Sequence, residues 1–261
     1  MDLGLPIDAH VHPYQVHRDA HGPEEFAKAA FEKGLGGLVF TEHAPLWYSE
    51  PRLHFMTESE LERCIEDCME TKRRWLGKLD IRIGIEADWH PRNADFVAGL
   101  LARHPEIECA TGSIHLHGPH WAEERDGLDG EECTTLALRE TLAAVKSGLF
   151  SRINHIDFFR IQLQRMGCEY HPERHEEDFR EIFVEMVKRG TALEWNASGF
   201  RRDFAEALPC DRVWRWSLDY DLSRTYGSDA HKPEDVGAFI GRFKEDVENV
   251  DAVFRGLNYN Q

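Results

Sequence analysis

The stretch Ile7-Asp8-Ala9-His10-Val11-His12 decides how the rest of the chain is read. On a β-strand alternate side chains share a face, so His10 and His12 point the same way at the end of a short apolar strand. Two imidazoles on one face can grip one cation. Two surface histidines with no ligand role would give the same triplet, so the choice rests on whether other apolar strands also end in ligand-type residues.

Outward from this strand, short apolar runs alternate with amphipathic segments. Pro23 to Lys33 reads as a helix stopped by Gly34, and Gly37 to Thr41 as a buried strand followed by Glu42 and His43. Thr57 and Glu60 form a capping box ahead of a helix reaching about Leu76. Ile81 to Ile85 is a strand ending in Glu86, Asn93 to Arg103 a helix, and Ile107 to Ser113 a strand leading to His115. Gly130 to Lys146 is helical with a stop at Gly148, and Phe150 to Asn154 is a strand running into His155. Glu173 to Lys188 is a helix closed by Gly190, followed by the strand Thr191 to Trp195, which carries Glu194 and ends at Asn196. Pro209 to Leu222 is weakly helical, and Tyr226 leads into Gly-Ser-Asp-Ala-His with Asp229 and His231. A helix from Pro233 to about Val247 and an apolar piece, Ala252 to Phe254, follow.

Seven strand-like segments, nearly all followed by a helix, predict an α/β fold of the (β/α) barrel type, in which reactive groups gather at the C-terminal ends of the strands. His10, His12, His43, Glu86, His115, His155, Asp229 and His231 all sit at such positions. The rival doubly wound sheet lacks its signature, because no Gly-x-Gly-x-x-Gly follows the first strand. The 261 residues suit one domain, 1–261, with one large core.

The formal net charge of −17, from 48 acidic and 31 basic residues, argues against a nucleic-acid or anionic-membrane partner, since both need a basic face. Bound divalent cations would offset part of it. No run of about 18 apolar residues predicts a membrane span. The six cysteines form no Cys-x-x-Cys pair, and nothing before Ile7 resembles a signal peptide, which predicts a reduced, cytoplasmic protein. Cys64 and Cys68 share an apolar stripe with Leu61 and Ile65 and read as core. Imidazoles and carboxylates at this density suit zinc, iron or manganese rather than calcium or magnesium. Eight or nine such groups imply two or three divalent transition-metal ions, with Glu86 a natural bridge. Paired ions about 3.5–4 Å apart are the machinery of many phosphoesterases.

His10-x-His12, Thr41-Glu42-His43-Ala44-Pro45, Gly84-Ile85-Glu86-Ala87-Asp88, Gly112-Ser113-Ile114-His115, His155-Ile156-Asp157 and Gly227-Ser228-Asp229-Ala230-His231 resemble, in order, the motifs of the PHP (polymerase and histidinol phosphatase) family. Glu86-Ala-Asp-Trp-His-Pro, Ser147-Gly-Leu-Phe and Asn196-Ala-Ser-Gly-Phe-Arg201 are most similar to its histidinol-phosphatase branch. The resemblance implies a distorted (β/α)7 TIM-like barrel and a trinuclear site. One ion would be held by His10, His12, Glu86 and Asp229, a second by Glu86, His115 and His155, and a third by His17, His43 and His231, with His21 competing for the place of His17. It implies hydrolysis of a small phosphorylated substrate by a hydroxide between two ions, with Glu86, Asp229 and His231 as catalytic residues.

Arginine on the loops after His155 and Asn196 would neutralise phosphate oxygens: the resemblance favours Arg201 and makes Arg160 a second candidate, with Arg202 beside them. His117 shares a face with His115 if that strand continues, and is a candidate for substrate contact. His54, His90, His104, His120, His171 and His175 read as solvated. Asp88 or Asp157 would suit a cationic amino alcohol. Two departures from the branch bear on substrate: Asn154 stands where it usually has glycine, and Leu-His-Gly-Pro-His-Trp follows His115. A nucleotide or another small ester therefore remains an alternative, followed by an amidohydrolase-type reaction and a non-catalytic metal-stabilised domain.

Overall fold

Apolar runs bounded by glycines and polar turns fold as seven parallel strands in the computed structural model, which describes residues 6–14, 21–46, 56–116 and 119–248. They are β1 (Ile7–Val11), β2 (Gly37–His43), β3 (Asp80–Asp88), β4 (Cys109–Ser113), β5 (Arg152–Ile153), β6 (Ala192–Asn196) and β7 (Arg224–Gly227). Each pairs with the next in chain order. The ring closes beyond β7, where His12 N–H donates to Ala230 O (2.9 Å) and Asp229 N–H donates to His10 O (2.9 Å). Strands covered on both faces need apolar side chains throughout, which is why β2 opens Gly-Leu-Val-Phe rather than alternating strictly.

Helices α1 (Pro23–Glu32), α2 (Glu58–Arg74), α3 (Ala94–Arg103), α4 (Pro119–Arg125), α5 (Gly130–Ser147), α6 (Arg160–Met166), α7 (Glu176–Arg189), α8 (Asp211–Ser217) and α9 (Ile240–Glu248) connect the strands or follow the last of them. The capping box forms at α2: Glu60 N–H donates to Thr57 Oγ1 (3.3 Å) and Thr57 N–H donates to Glu60 Oε2 (2.7 Å). Its buried face carries Leu61, Cys64, Ile65 and Cys68, so both cysteines fill core as expected. Helix α7 buries Phe179, Ile182, Phe183 and Met186. Burial of each such side chain stabilises the fold by roughly 1.5–3 kcal/mol. Gly148 and Gly190 end α5 and α7 at φ 71° and 70°, a region glycine enters without steric cost.

Several elements differ from the sequence reading. Strand β5 is only two residues long, because the backbone at His155 turns to φ 22° and leaves the extended region. The helix expected from Glu173 starts as a separate 3-10 turn, Pro172–His175, ahead of α7. The helix expected from Pro233 is broken: a 3-10 turn over Pro233–Asp235 is followed by left-handed Gly237 (φ 69°) and Phe239 (φ 60°) before α9 begins. Helices α4 and α6 had no counterpart in the pattern. Ala252 to Phe254 lies outside the described residues.

Candidate metal centre

Parallel strands in a barrel all point one way, so residues at their C-terminal ends meet on one rim. His10 in β1 and His12 just past it bring their Nε2 atoms to 3.0 Å. Behind them, His10 Nδ1 lies 2.7 Å from Glu194 Oε1 on β6, and His12 Nδ1 lies 3.4 Å from Glu42 Oε1 on β2. A carboxylate only accepts, so each Nδ1 carries a proton and the two facing Nε2 atoms are left to share a cation or a further proton. Asp229 Oδ1 is 3.8 Å and 3.4 Å from these Nε2 atoms.

Glu86, near the end of β3, occupies the middle. Its Oε2 lies 3.6 Å from His10 Nε2, 3.5 Å from His12 Nε2 and 2.9 Å from His43 Nδ1. Its Oε1 lies 3.1 Å from His155 Nε2 and 3.7 Å from His115 Nε2. Ligand atoms within 4.8 Å of one another form three groups: His10, His12 and Asp229; His10, Glu86 and His155; and His12, His43 and His231.

Facing imidazole nitrogens beside the buried carboxylates of Glu86 and Asp229 call for positive charge, and His155 Nδ1 is buried with no hydrogen-bond partner among the described residues. The protonation tendencies agree. Burial opposes charge throughout, yet Glu194, Asp229 and Glu86 outweigh it and push His10 well up, while Asp229, Glu42 and Glu86 raise His12 to about 9. Burial likewise opposes the Glu42 and Glu194 carboxylates, but His12 and His10 hold them down at about 2. His231 moves the other way, to about 4, because burial and the charges of His12 and His43 oppose its proton. Protons therefore satisfy only part of the cluster. The donor set fits divalent transition ions.

Two of these residues stand on left-handed backbone, His155 at φ 22° and Asp229 at φ 54°. Such conformations cost on the order of 1–3 kcal/mol in a residue other than glycine and persist only where the surroundings enforce them. Here the enforcers are visible. Glu194 Oε2 accepts from His155 N–H (2.9 Å), and Arg201 Nη2 donates to the carbonyls of Ser228 (2.8 Å) and Asp229 (2.9 Å). Glu194 lies so close to β7 that a methyl group at Gly227 would overlap its Oε1 and the His10 Cβ.

The rim thus brings together His10, His12, His43, Glu86, His115, His155, Asp229 and His231. His17 and His117 lie outside the described residues, and His21 is exposed and belongs to none of the three groups. Arg160 pairs with Asp157 (3.5 Å) and Glu206 (2.7 Å) and stacks on Tyr170 and Phe204, lining a cavity between α6 and the segment from Phe204 to Arg212. Arg201 serves the Asp229 turn. Arg202 instead lies 4.9 Å over the Phe158 ring, which packs on His115 (4.8 Å) and His155 (4.5 Å). Asp88 is engaged with His115, 3.1 Å from its Nδ1, and buried Asp157 accepts from Cys210 N–H, so neither is an open acid for a cationic substrate. His90, His104 and His175, expected to be solvated, are buried beside Glu124, Glu58 and Glu131. Phe158 and Ser113 were missed; Ser113, which donates to Glu86 Oε1, was legible only as the end of a strand.

The PHP domain family model matches residues 8–198, and the PHP-associated model matches residues 207–261. A probable histidinol-phosphatase of Deinococcus radiodurans is 32% identical over 254 residues, covering 93% of this chain and 92% of the relative. The histidinol-phosphatase of Bacillus subtilis is 24% identical, over 91% and 98% of the two chains. Among solved structures, a putative histidinol phosphatase from Listeria monocytogenes shares the fold with a TM-score of 0.76 at 22% identity, covering 91% of this chain and 99% of that one. Another from Lactococcus lactis, in complex with zinc, L-histidinol and phosphate, has a TM-score of 0.70 at 18% identity, covering 93% and 94%. With the matched motifs lining one rim of a seven-stranded parallel barrel, the chain belongs to the PHP family.

Proposed function

We propose that the protein is a cytoplasmic, metal-dependent phosphatase that converts histidinol phosphate and water into histidinol and inorganic phosphate. The observation that carries this reading is Glu86, whose two oxygens face two separate sets of imidazoles, the arrangement a paired-ion phosphoesterase requires. The substrate follows from the relatives, which match over nearly the whole chain and bear the name histidinol-phosphatase. Zinc is the first ion to test, since it is present in the Lactococcus lactis structure, with iron and manganese next.

Two or three ions would be held by His10, His12, Glu86 and Asp229, by Glu86, His115 and His155, and by His43 and His231 with His17. Divalent ions bound there supply an acidified water for attack on phosphorus and a clamp on the phosphate oxygens. The chain's own residues do the rest. Glu194, Glu42 and Asp88 sit against His10, His12 and His115 and hold each ring with its other nitrogen turned toward the cluster. His231 Nδ1 lies 3.0 Å from the Asp229 carbonyl oxygen, which fixes the proton there and leaves Nε2 as a donor atom. Phe158 shields one side of the cluster, and Arg202 above it is the guanidinium assigned to the phosphate oxygens, in place of Arg160 and Arg201. The whole chain, 1–261, works as one unit, because Asp229 and His231 come from the segment matched by the PHP-associated model.

The test is phosphate release from a panel of esters, histidinol phosphate and nucleotides included, on protein whose metal content is fixed by elemental analysis. Bound transition ions with a strong preference for histidinol phosphate are the expected result. Preference for a nucleotide would overturn the substrate, and absence of bound ions would overturn the site.

A further inference from the structure

Directly beneath the cluster, inside the barrel, β5 carries an arginine that the chemistry above does not use. Arg152 is 1% exposed and forms no ion pair with a carboxylate among the described residues. Its Nη2 has no hydrogen-bond partner there. An apolar side chain would fill this space without the cost of burying a charge. Against burial, the charge of Arg152 helps, after His10, to hold the Glu194 carboxylate down, and among the described residues Arg152 makes one directed bond, Nε–H donating to Asn154 Oδ1 at 2.9 Å.

That bond resolves an ambiguity. The two ends of an asparagine amide are nearly alike in shape, but a guanidinium can only donate, so the end facing Arg152 is the oxygen. Asn154 Nδ2 must then point up, toward Thr111 Oγ1 (2.9 Å), Ser113 Oγ (3.2 Å) and Glu86 Oε1 (3.3 Å). Thr111 spends its own proton on Ile85 O, and Ser113 donates to Glu86 Oε1, so both hydroxyls can accept from the amide. Glu86 Oε1 thus faces donors from below and His155 and His115 from above, while Oε2 faces His10, His12 and His43.

The geometry points to Asn154, oriented by buried Arg152, as a positioning residue that fixes the rotation of the Glu86 carboxylate and so assigns one oxygen to each imidazole set. The inference rests on the metal reading of this rim. It makes the ion on the His115 and His155 side depend on a hydrogen-bond relay, Arg152 to Asn154 to Glu86, that touches no substrate.

The experiment is zinc titration of chelator-stripped protein against a chromophoric competitor, with ions counted per chain and cobalt absorption spectra recorded in parallel. Asn154→Ala is expected to weaken one ion by about 10–100-fold, the usual cost of losing such an outer partner, and to change the cobalt spectrum while the remaining ion or ions bind as before. Arg152→Met, which fills the space without a donor, should do the same, and Arg152→Lys, which keeps a donor for Oδ1, should restore most of the affinity. Circular dichroism of each stripped variant verifies the fold, and Asn154→Ser serves if the alanine variant does not fold. Wild-type affinity and spectrum in Asn154→Ala and Arg152→Met would overturn the relay while leaving the metal site intact. A wild-type protein that takes up no zinc or cobalt would overturn the metal reading, and the relay with it.

Discussion

In β1 to β3 the ligands belong to the strands or lie one residue beyond: His10, His43 and Glu86 are strand residues, and His12 follows Val11. In β5 to β7 they sit past the strands, with His155 and Asp229 on left-handed turns. The first half places its ligands by pleat and register, which cost nothing extra. The second half places them by enforced turns, whose strain is offset by hydrogen bonds from elsewhere. Glu194 joins the two, since it accepts from the His10 ring and from the His155 backbone.

Removing the group both halves share should break the site outright. Glu86→Ala is expected to abolish phosphate release and to lower the number of bound ions, as read by turnover assay and elemental analysis. Glu194→Gln tests the joint itself. A glutamine can still offer its oxygen to His10 Nδ1, but its amide then meets the His155 and Asn196 donors, so a 10–100-fold loss of metal affinity is expected by chelator competition. An unchanged affinity would mean that the halves are held independently.

Arg201→Ala sharpens the contrast by touching only the turn half. Loss of its bonds to the Ser228 and Asp229 carbonyls should cost about 1–2 kcal/mol in urea unfolding and weaken the Asp229 ion, leaving the His115 and His155 side unaltered. The smallest effect concerns protons. In metal-free protein His12 is raised from 6.5 to about 9, so its contribution to stability is complete below pH 6.5 and is lost as pH rises through 9. His231 is lowered from 6.5 to about 4, so its contribution is lost as pH falls from 6.5 through 4. Stability of the stripped protein should therefore peak near pH 6.5 in urea titrations and decline on both sides. Bound ions, which take the place of the His12 proton, should remove the alkaline decline.

The same contrast marks what the sequence discloses. His10 and His12 are legible because a strand's period of two is local, and Glu86 and His43 because apolar runs end beside them. The glycine stops of α5 and α7 and the capping box of α2 are local as well. Glu194 was read only as part of a strand, because its partner His10 is 184 residues away. Arg160 drew attention as a free cation near His155, whereas Glu206, in a later loop, engages it. The break before α9 and the turn at Asp229 depend on backbone angles that no periodicity encodes.

Barrel closure has a consequence for the order of events during synthesis. The backbone-to-backbone hydrogen bonds that close the ring beyond β7 are made by His10, His12, Asp229 and Ala230, so sealing the ring and completing the ligand set are one event. Contacts that span most of a chain form late, because the intervening length must be ordered first. A growing polypeptide emerging from the ribosome therefore displays His10 and His12 long before Asp229 exists, and it completes the set of groups around the ion they share only when the seventh strand has docked.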